Sequence, residues 1–141
     1  MTSQLNVDTI VDKAGSGGTN VKVANTSTYV SDGGAVTQNT VQGLAKAWAA
    51  FDGSGTVEID DSNNIASMTD NGTGDYTLTI TNDMANANYA PVSSCNFNGT
   101  SPDFVGAVSK AVGSTEFHAA HDNGSLTDMN DLYASWHGDL A

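Results

Sequence analysis

Short runs of alternating apolar and polar residues recur through the larger, C-terminal part of the chain. In the clearest run, Tyr76, Leu78 and Ile80 alternate with threonines. A period of two places successive side chains on opposite faces of an extended chain, so this run predicts a β-strand with one buried face. Similar runs between residues 43 and 141 bring the number of predicted strands to seven or eight.

Turn-forming residues separate these runs at intervals of about 8–12 residues, which is typical of antiparallel sandwiches. Asn71-Gly72 is a strong hairpin signal, and Pro91, which lacks a backbone N–H, predicts an edge strand or a bulge. We therefore predict an all-β fold, an antiparallel, jelly-roll-like β-sandwich over residues 43–141. Residues 44–51 are ambiguous, because their alanines favour a helix whereas their alternation favours a strand.

The first 42 residues have a different character. Leu5, Val7, Ile10 and Val11 form a brief, imperfect alternation, and a glycine-rich patch follows at residues 14–18. The remainder of this segment is rich in Thr, Asn, Ser and Val and is too poor in large apolar residues to form a core. We predict an extended attachment arm and linker over residues 1–42, which becomes ordered on another subunit or partner.

Composition narrows the possible partners. The 141-residue chain has 4 Lys+Arg against 16 Asp+Glu, a formal net charge of -12. Proteins that bind nucleic acid or anionic lipid surfaces neutralise phosphates with Lys and Arg, so this balance argues against both kinds of partner. Small uncharged residues make up much of the chain, since Gly, Thr, Ser and Asn together occupy 59 of the 141 positions. This composition suits β-structure with many turns.

Membrane insertion and secretion are not indicated either. No apolar run approaches 18 residues, so no membrane-spanning segment is predicted. The N-terminus lacks the basic and apolar regions of a secretory signal. The single cysteine, Cys95, excludes an internal disulfide, so stability is expected from packing, subunit association or both.

Five stretches of the sequence form recognisable motifs: GLAKAWAAFDGSGTV at 43–57, NIASMTDNGTGDYTL at 64–78, MANANYA at 84–90, GDLA at 138–141 and LNVDTIVDKAG at 5–15. The first four resemble a β-domain found in tailed-bacteriophage tail-fibre and related virion proteins, and the fifth is similar to the start of marine phage structural proteins. The resemblance covers about two thirds of the chain, and it favours a strand over residues 44–51.

The resemblance implies a non-enzymatic structural protein of the virion, assembled in the host cytoplasm. Its β-domain is expected to form a homotrimer that faces outward, while the arm docks onto other virion proteins. The chain lacks the shaft of a long tail fibre, so a tail-fibre-like protein and a head-exposed fibre both remain open. The alternatives are a capsid decoration or cement protein and a carbohydrate-binding module that recognises a host surface polysaccharide.

Residues that could carry chemistry are few. His118 and His121 have a spacing that suits metal binding only on a helix, whereas their neighbourhood predicts strand and turn, so no metal site is predicted there. Asp122, Asp128 and Asp131 are weak candidates for calcium, which takes six to eight oxygen ligands. No nucleophile elbow or phosphate-binding loop occurs in the sequence. We therefore predict no catalytic residue and no cofactor.

The aromatic residues are first of all core candidates, because most of them occupy alternating strand positions. Two of these core candidates could instead lie at the surface: Phe97, which falls in a predicted loop, and Trp136, which lies next to His137 near the C-terminus. We predict that these three could form a surface that binds a partner or a sugar, since aromatic residues are enriched in binding patches.

Overall fold

The computed structural model describes residues 28–30, 37–40, 43–96 and 103–141. In this part of the chain the regular structure consists of β-strands, without a helix, as the alternating patterns predict. It follows that no helix here is long and apolar enough to cross a membrane. The predicted attachment residues lie outside the described residues: Leu5, Val7, Ile10 and Val11.

The chain divides into two units, Met1–Val41 and Gln42–Ala141. The first unit contains a two-stranded antiparallel sheet of β1 (Thr28–Val30) and β2 (Thr37–Asn39). The strands described in the second unit are β3 (Ala45–Asp52), β4 (Glu58–Asn63), β5 (Ile65–Gly72), β6 (Asp75–Ile80), β7 (Ala90–Cys95), β8 (Asp103–Ala111), β9 (Ser114–His121) and β10 (Leu132–His137).

The strands of the second unit form two antiparallel sheets of four strands each. The first sheet has the order β4-β3-β10-β7, and the second has the order β5-β6-β9-β8. Hairpins within a sheet join β3 to β4, β5 to β6 and β8 to β9. The other connections pass from one sheet to the other. This arrangement confirms the predicted pair of antiparallel sheets.

The hydrophobic core lies between the two sheets. Phe51 of the first sheet meets Tyr76 of the second edge-to-face, with ring centroids 6.0 Å apart. Phe117 and Trp136 form a second such pair at 5.6 Å. All four side chains are fully buried. Such pairs stabilise beyond the burial of their area, and they join the central strands of one sheet to those of the other.

A chain of hydrogen bonds crosses the core beside the second aromatic pair. Trp136 Nε1 donates to Thr115 Oγ1 at 2.7 Å, and the same oxygen lies 2.7 Å from the Tyr89 hydroxyl. That hydroxyl reaches the carbonyl oxygens of Ser114 at 2.7 Å and Ala111 at 2.8 Å. In the described part of the chain, no buried side-chain nitrogen or oxygen lacks a partner. The core therefore contains polar groups without the cost of leaving them unpaired.

Local predictions had mixed outcomes. Residues 45–52 form a strand, and Pro91 lies on the edge strand β7, as predicted. The hairpin after β5 also exists, but its turn residues are Thr73 and Gly74, not Asn71-Gly72. Gly74 takes the left-handed conformation (φ 64°), and a Cβ there would lie 2.5 Å from the Ala119 carbonyl oxygen, so a side chain would not fit.

Candidate functional site

Large apolar side chains are exposed on the outer face of the first sheet. Trp48, Val92 and Tyr133 have 38%, 58% and 44% of their surface accessible. Trp48 and Val92 both lie opposite Ser135, one on each side of β10, and Tyr133 lies opposite Ala50. Trp48 and Tyr133 are therefore diagonal neighbours on adjacent strands, within reach of aromatic side chains. We call the set Trp48, Val92 and Tyr133 the aromatic face.

A shallow groove of about 150 Å³ runs along this face between β7 and β10. Its walls combine the apolar Val92 and Tyr133 with the hydroxyl-bearing Ser94 and Ser135. On the other side of β3, the exposed Asn63 of β4 lies directly opposite Trp48. The face thus offers aromatic rings next to groups that donate and accept hydrogen bonds.

The phase of each strand explains which aromatic residues are exposed. In β10, Leu132, Ala134 and Trp136 point into the core, so the intervening Tyr133 points outward. In β3, Phe51 is buried and Trp48, three residues earlier, lies on the opposite face. Prediction of Trp48 and Tyr133 as core candidates was therefore wrong.

The predicted surface group of Phe97, Trp136 and His137 is not supported by the positions of its members. Trp136 is fully buried, which confirms it as a core candidate and shows that its alternative place on a binding surface was wrong. His137 is half-buried and lines a separate open pocket of about 340 Å³ with Asn86, Tyr89 and other residues. Phe97 lies outside the described residues.

Two of the three calcium candidates accept hydrogen bonds from other groups, and the third does not cluster with them. Asp128 Oδ1 accepts a hydrogen bond from the Gly74 backbone N–H at 2.7 Å and lies 3.1 Å from the Tyr76 hydroxyl. Asp131 accepts a bond of 3.3 Å from the Asn96 side chain. Asp122 does not join them in any cluster of potential metal ligands among the described residues. Asp128 instead has a structural role, because it ties the β5–β6 turn to the loop before β10.

One cluster of potential metal ligands does occur in the described residues, on the outer face of the second sheet. It consists of Asp75, Glu116 and His118, whose ligand atoms all lie within 4.8 Å of one another. Sequence reasoning missed this cluster. The i, i+2 spacing of Glu116 and His118 shows that they share a face of one strand, but Asp75 joins them only through the pairing of β6 with β9.

Burial raises the pKa of two tyrosines and of the cysteine in this domain. Burial, reinforced by the bond to Asp128, raises the pKa of the Tyr76 phenol well above its usual range. Burial also raises the pKa of Tyr89, against the bond to Thr115, which lowers it. The pKa of the Cys95 thiol is raised by burial and then by the charge of Asp103. This is the opposite of the lowered thiol pKa that marks a reactive cysteine.

Comparison of the chain with protein-family models, with curated proteins and with solved structures finds no match. The candidate sites therefore rest on their geometry and on the chemistry of their residues.

Proposed function

We propose that the protein is a non-enzymatic structural protein of a bacteriophage particle, tail-fibre-like or part of a head-exposed fibre. Residues 43–141 form a homotrimeric β-domain that faces outward, and residues 1–42 dock onto the particle. The resemblance of residues 43–57 and 64–78 to tail-fibre domains supports the virion assignment.

The aromatic face is the observation that carries the proposal. Three neighbouring strands expose Trp48, Tyr133 and Val92 on one sheet of a domain of about one hundred residues. The centres of subunit interfaces are enriched in Tyr and Trp and depleted in Lys and Glu, and no member of the face is charged. Covering this face in a trimer removes apolar surface from water and shields the edge strand β7.

Trivalency also fits the proposed attachment. Three arms that bind neighbouring sites on a particle act together, because the second and third binding events become intramolecular. Modest affinity for each arm is then sufficient to retain the trimer on the virion.

The oligomeric state tests the assembly. Native mass spectrometry and light scattering should find a trimer for the wild-type chain and a monomer for the double variant Trp48→Ser, Tyr133→Ser. Phe104→Ser is the matched control, since Phe104 is 50% exposed but belongs to the second sheet, and it should remain a trimer. Far-UV circular dichroism checks that every variant keeps its β-structure. A monomeric wild-type chain would refute the trimer.

The location in the particle tests the virion assignment. Electron microscopy of purified phage particles labelled with an antibody against this chain should place the label on fibres. Label on capsomers would favour a decoration or cement protein, and particles without any label would contradict the virion assignment altogether.

Carbohydrate recognition is the second candidate, and the groove beside Tyr133 favours it. A sugar presents apolar C–H faces and hydroxyl edges, which match an aromatic ring flanked by Ser94 and Ser135. A glycan array, read with and without chelator, should show binding that Tyr133→Ser abolishes and Phe104→Ser retains. Absence of binding to any glycan would leave the structural role alone.

A further inference from the structure

Two carboxylates and an imidazole converge on the outer face of the second sheet. We propose that Asp75, Glu116 and His118 bind one Zn²⁺ ion per chain. This inference does not depend on the proposed function, because it rests on the second sheet and not on the aromatic face.

Sheet geometry brings the three side chains together. Asp75 of β6 lies directly opposite His118 of β9 in the antiparallel register. Glu116 precedes His118 by two residues, so both side chains leave the same face of β9. Because β6 and β9 are the two central strands of the sheet, the backbone positions of all three residues are held by pairing on both sides.

The distances within the cluster suit a shared metal ion better than direct hydrogen bonds. His118 Nε2 lies 3.6 Å from Asp75 Oδ2 and 3.6 Å from Glu116 Oε1. A distance of 3.6 Å is too long for a hydrogen bond. Zinc bonds to nitrogen and oxygen are about 2.0–2.2 Å, so two ligands of a tetrahedral site lie about 3.4 Å apart. These two spacings therefore need little adjustment to accommodate the ion, and the ligand oxygens of Asp75 and Glu116 lie within 4.8 Å of each other.

Asp75 is already oriented by a neighbour that leaves one carboxylate oxygen available. Asn71 Nδ2 donates to Asp75 Oδ1 at 3.1 Å and to Thr77 Oγ1 at 2.9 Å. The other oxygen, Oδ2, is the one that faces His118. In metalloproteins, residues that do not touch the metal often donate or accept hydrogen bonds to its ligands. These hydrogen bonds fix the orientation of the ligands. Asn71 is therefore a positioning residue of the proposed site.

The mixture of ligands selects the kind of metal. Calcium and magnesium take oxygen ligands, whereas imidazole suits zinc and other transition metals. Three protein ligands leave a fourth tetrahedral position, and the side chains of the cluster are 25–34% exposed, so water can reach that position. The resulting arrangement is an open site, not a closed structural one.

Isothermal titration calorimetry, with zinc chloride added to the untagged 141-residue chain, tests the proposal. We expect saturation at one zinc per chain, with binding lost in His118→Gln and weakened at least tenfold in Asp75→Asn and Glu116→Gln. Asn71→Ala should weaken binding about tenfold, the lower end of the effect of such supporting residues. Far-UV circular dichroism confirms that each variant is folded.

A second histidine–carboxylate pair provides the matched control. His121 Nδ1 lies 2.6 Å from Asp103 Oδ1, so His121→Gln removes an imidazole beside a carboxylate without touching the cluster, and it should bind zinc like the wild type. Histidine-selective NMR should show that zinc shifts the ring signals of His118. The proposal is overturned if the folded wild-type chain does not bind zinc, if His118→Gln binds it equally well, or if His121→Gln loses it to the same extent. In each of these cases the cluster is a charge pairing without a metal.

Discussion

Replacement of Thr115 by valine tests the hydrogen-bond chain in the core. Thr115 is fully buried, and its hydroxyl connects Trp136 Nε1 to the Tyr89 hydroxyl. A hydroxyl has one proton and can accept further bonds. The consistent arrangement is that Trp136 donates to Thr115, Thr115 donates to Tyr89, and Tyr89 donates to a backbone carbonyl. Valine has nearly the same shape as threonine, but it cannot accept the tryptophan proton.

The expected loss of stability follows from the group that is left unpaired. A buried donor without a partner costs about 1–3 kcal/mol, and the added methyl group of valine returns about 0.8 kcal/mol. The difference between these two terms leads us to expect that Thr115→Val lowers the free energy of unfolding by up to about 2 kcal/mol. Thr115→Ser keeps the hydroxyl and loses one methyl group, so it should cost about 1 kcal/mol or less.

Urea unfolding followed by far-UV circular dichroism measures these differences, at one protein concentration because association adds to stability. A double-mutant cycle with Trp136→Phe isolates the bond. Once the indole N–H is absent, Thr115→Val should cost at least about 1 kcal/mol less than in the wild type. If the cost is the same in both backgrounds, the hydrogen-bond chain does not stabilise the core.

Three further predictions concern other positions in the β-domain. Gly53→Ala should lower the free energy of unfolding by about 1–3 kcal/mol, because the new Cβ would lie 2.3 Å from the Tyr76 hydroxyl. A Cβ at Gly106 would meet only open space, so the control Gly106→Ala should stay within about 0.5 kcal/mol of the wild type in urea unfolding. Burial raises the pKa of Tyr76 and Tyr89 above the value in the unfolded chain, near 10. The stability that the two neutral phenols contribute is therefore complete below that value and is lost as the pH rises above it. Absorbance at alkaline pH should accordingly show these phenols ionising together with unfolding. Ionisation of both phenols in the folded chain would contradict their burial. Burial likewise raises the pKa of Cys95, so iodoacetamide should modify it at neutral pH more slowly than a free thiol, and more rapid modification would contradict this.

Much of the secondary structure could be predicted from local patterns. The alternation at residues 75–80 reappears as β6 with every second side chain buried, since a period of two is a property of the strand itself. The choice of strand over helix at residues 45–52 was less direct, because alanine propensity pointed the other way. Pairing of β3 with both β4 and β10 settles it, as tertiary context overrides propensity.

The candidate sites were much less predictable. Trp136 and Tyr133 belong to the same strand, but the sequence interpretation placed Tyr133 in the core, which was wrong, and left Trp136 open between core and surface. In β10 the inward residues Leu132, Ala134 and Trp136 are apolar, whereas Ser135 and His137 on the other face are polar. Asp75 and His118 are far apart in the chain, and no local pattern relates them before the register of β6 and β9 is known.

The sequence by itself determined the class of this protein: an acidic, lysine-poor chain of short strands and polar turns, with a distinct N-terminal segment. These properties are local or additive, so composition, period and turn chemistry are enough to establish them. Only the tertiary structure decided which face of each strand is buried and which side chains become neighbours. Both depend on strand pairing and on the packing of one sheet against the other, which join residues distant in sequence. The aromatic face and the Asp75–Glu116–His118 cluster are products of that pairing.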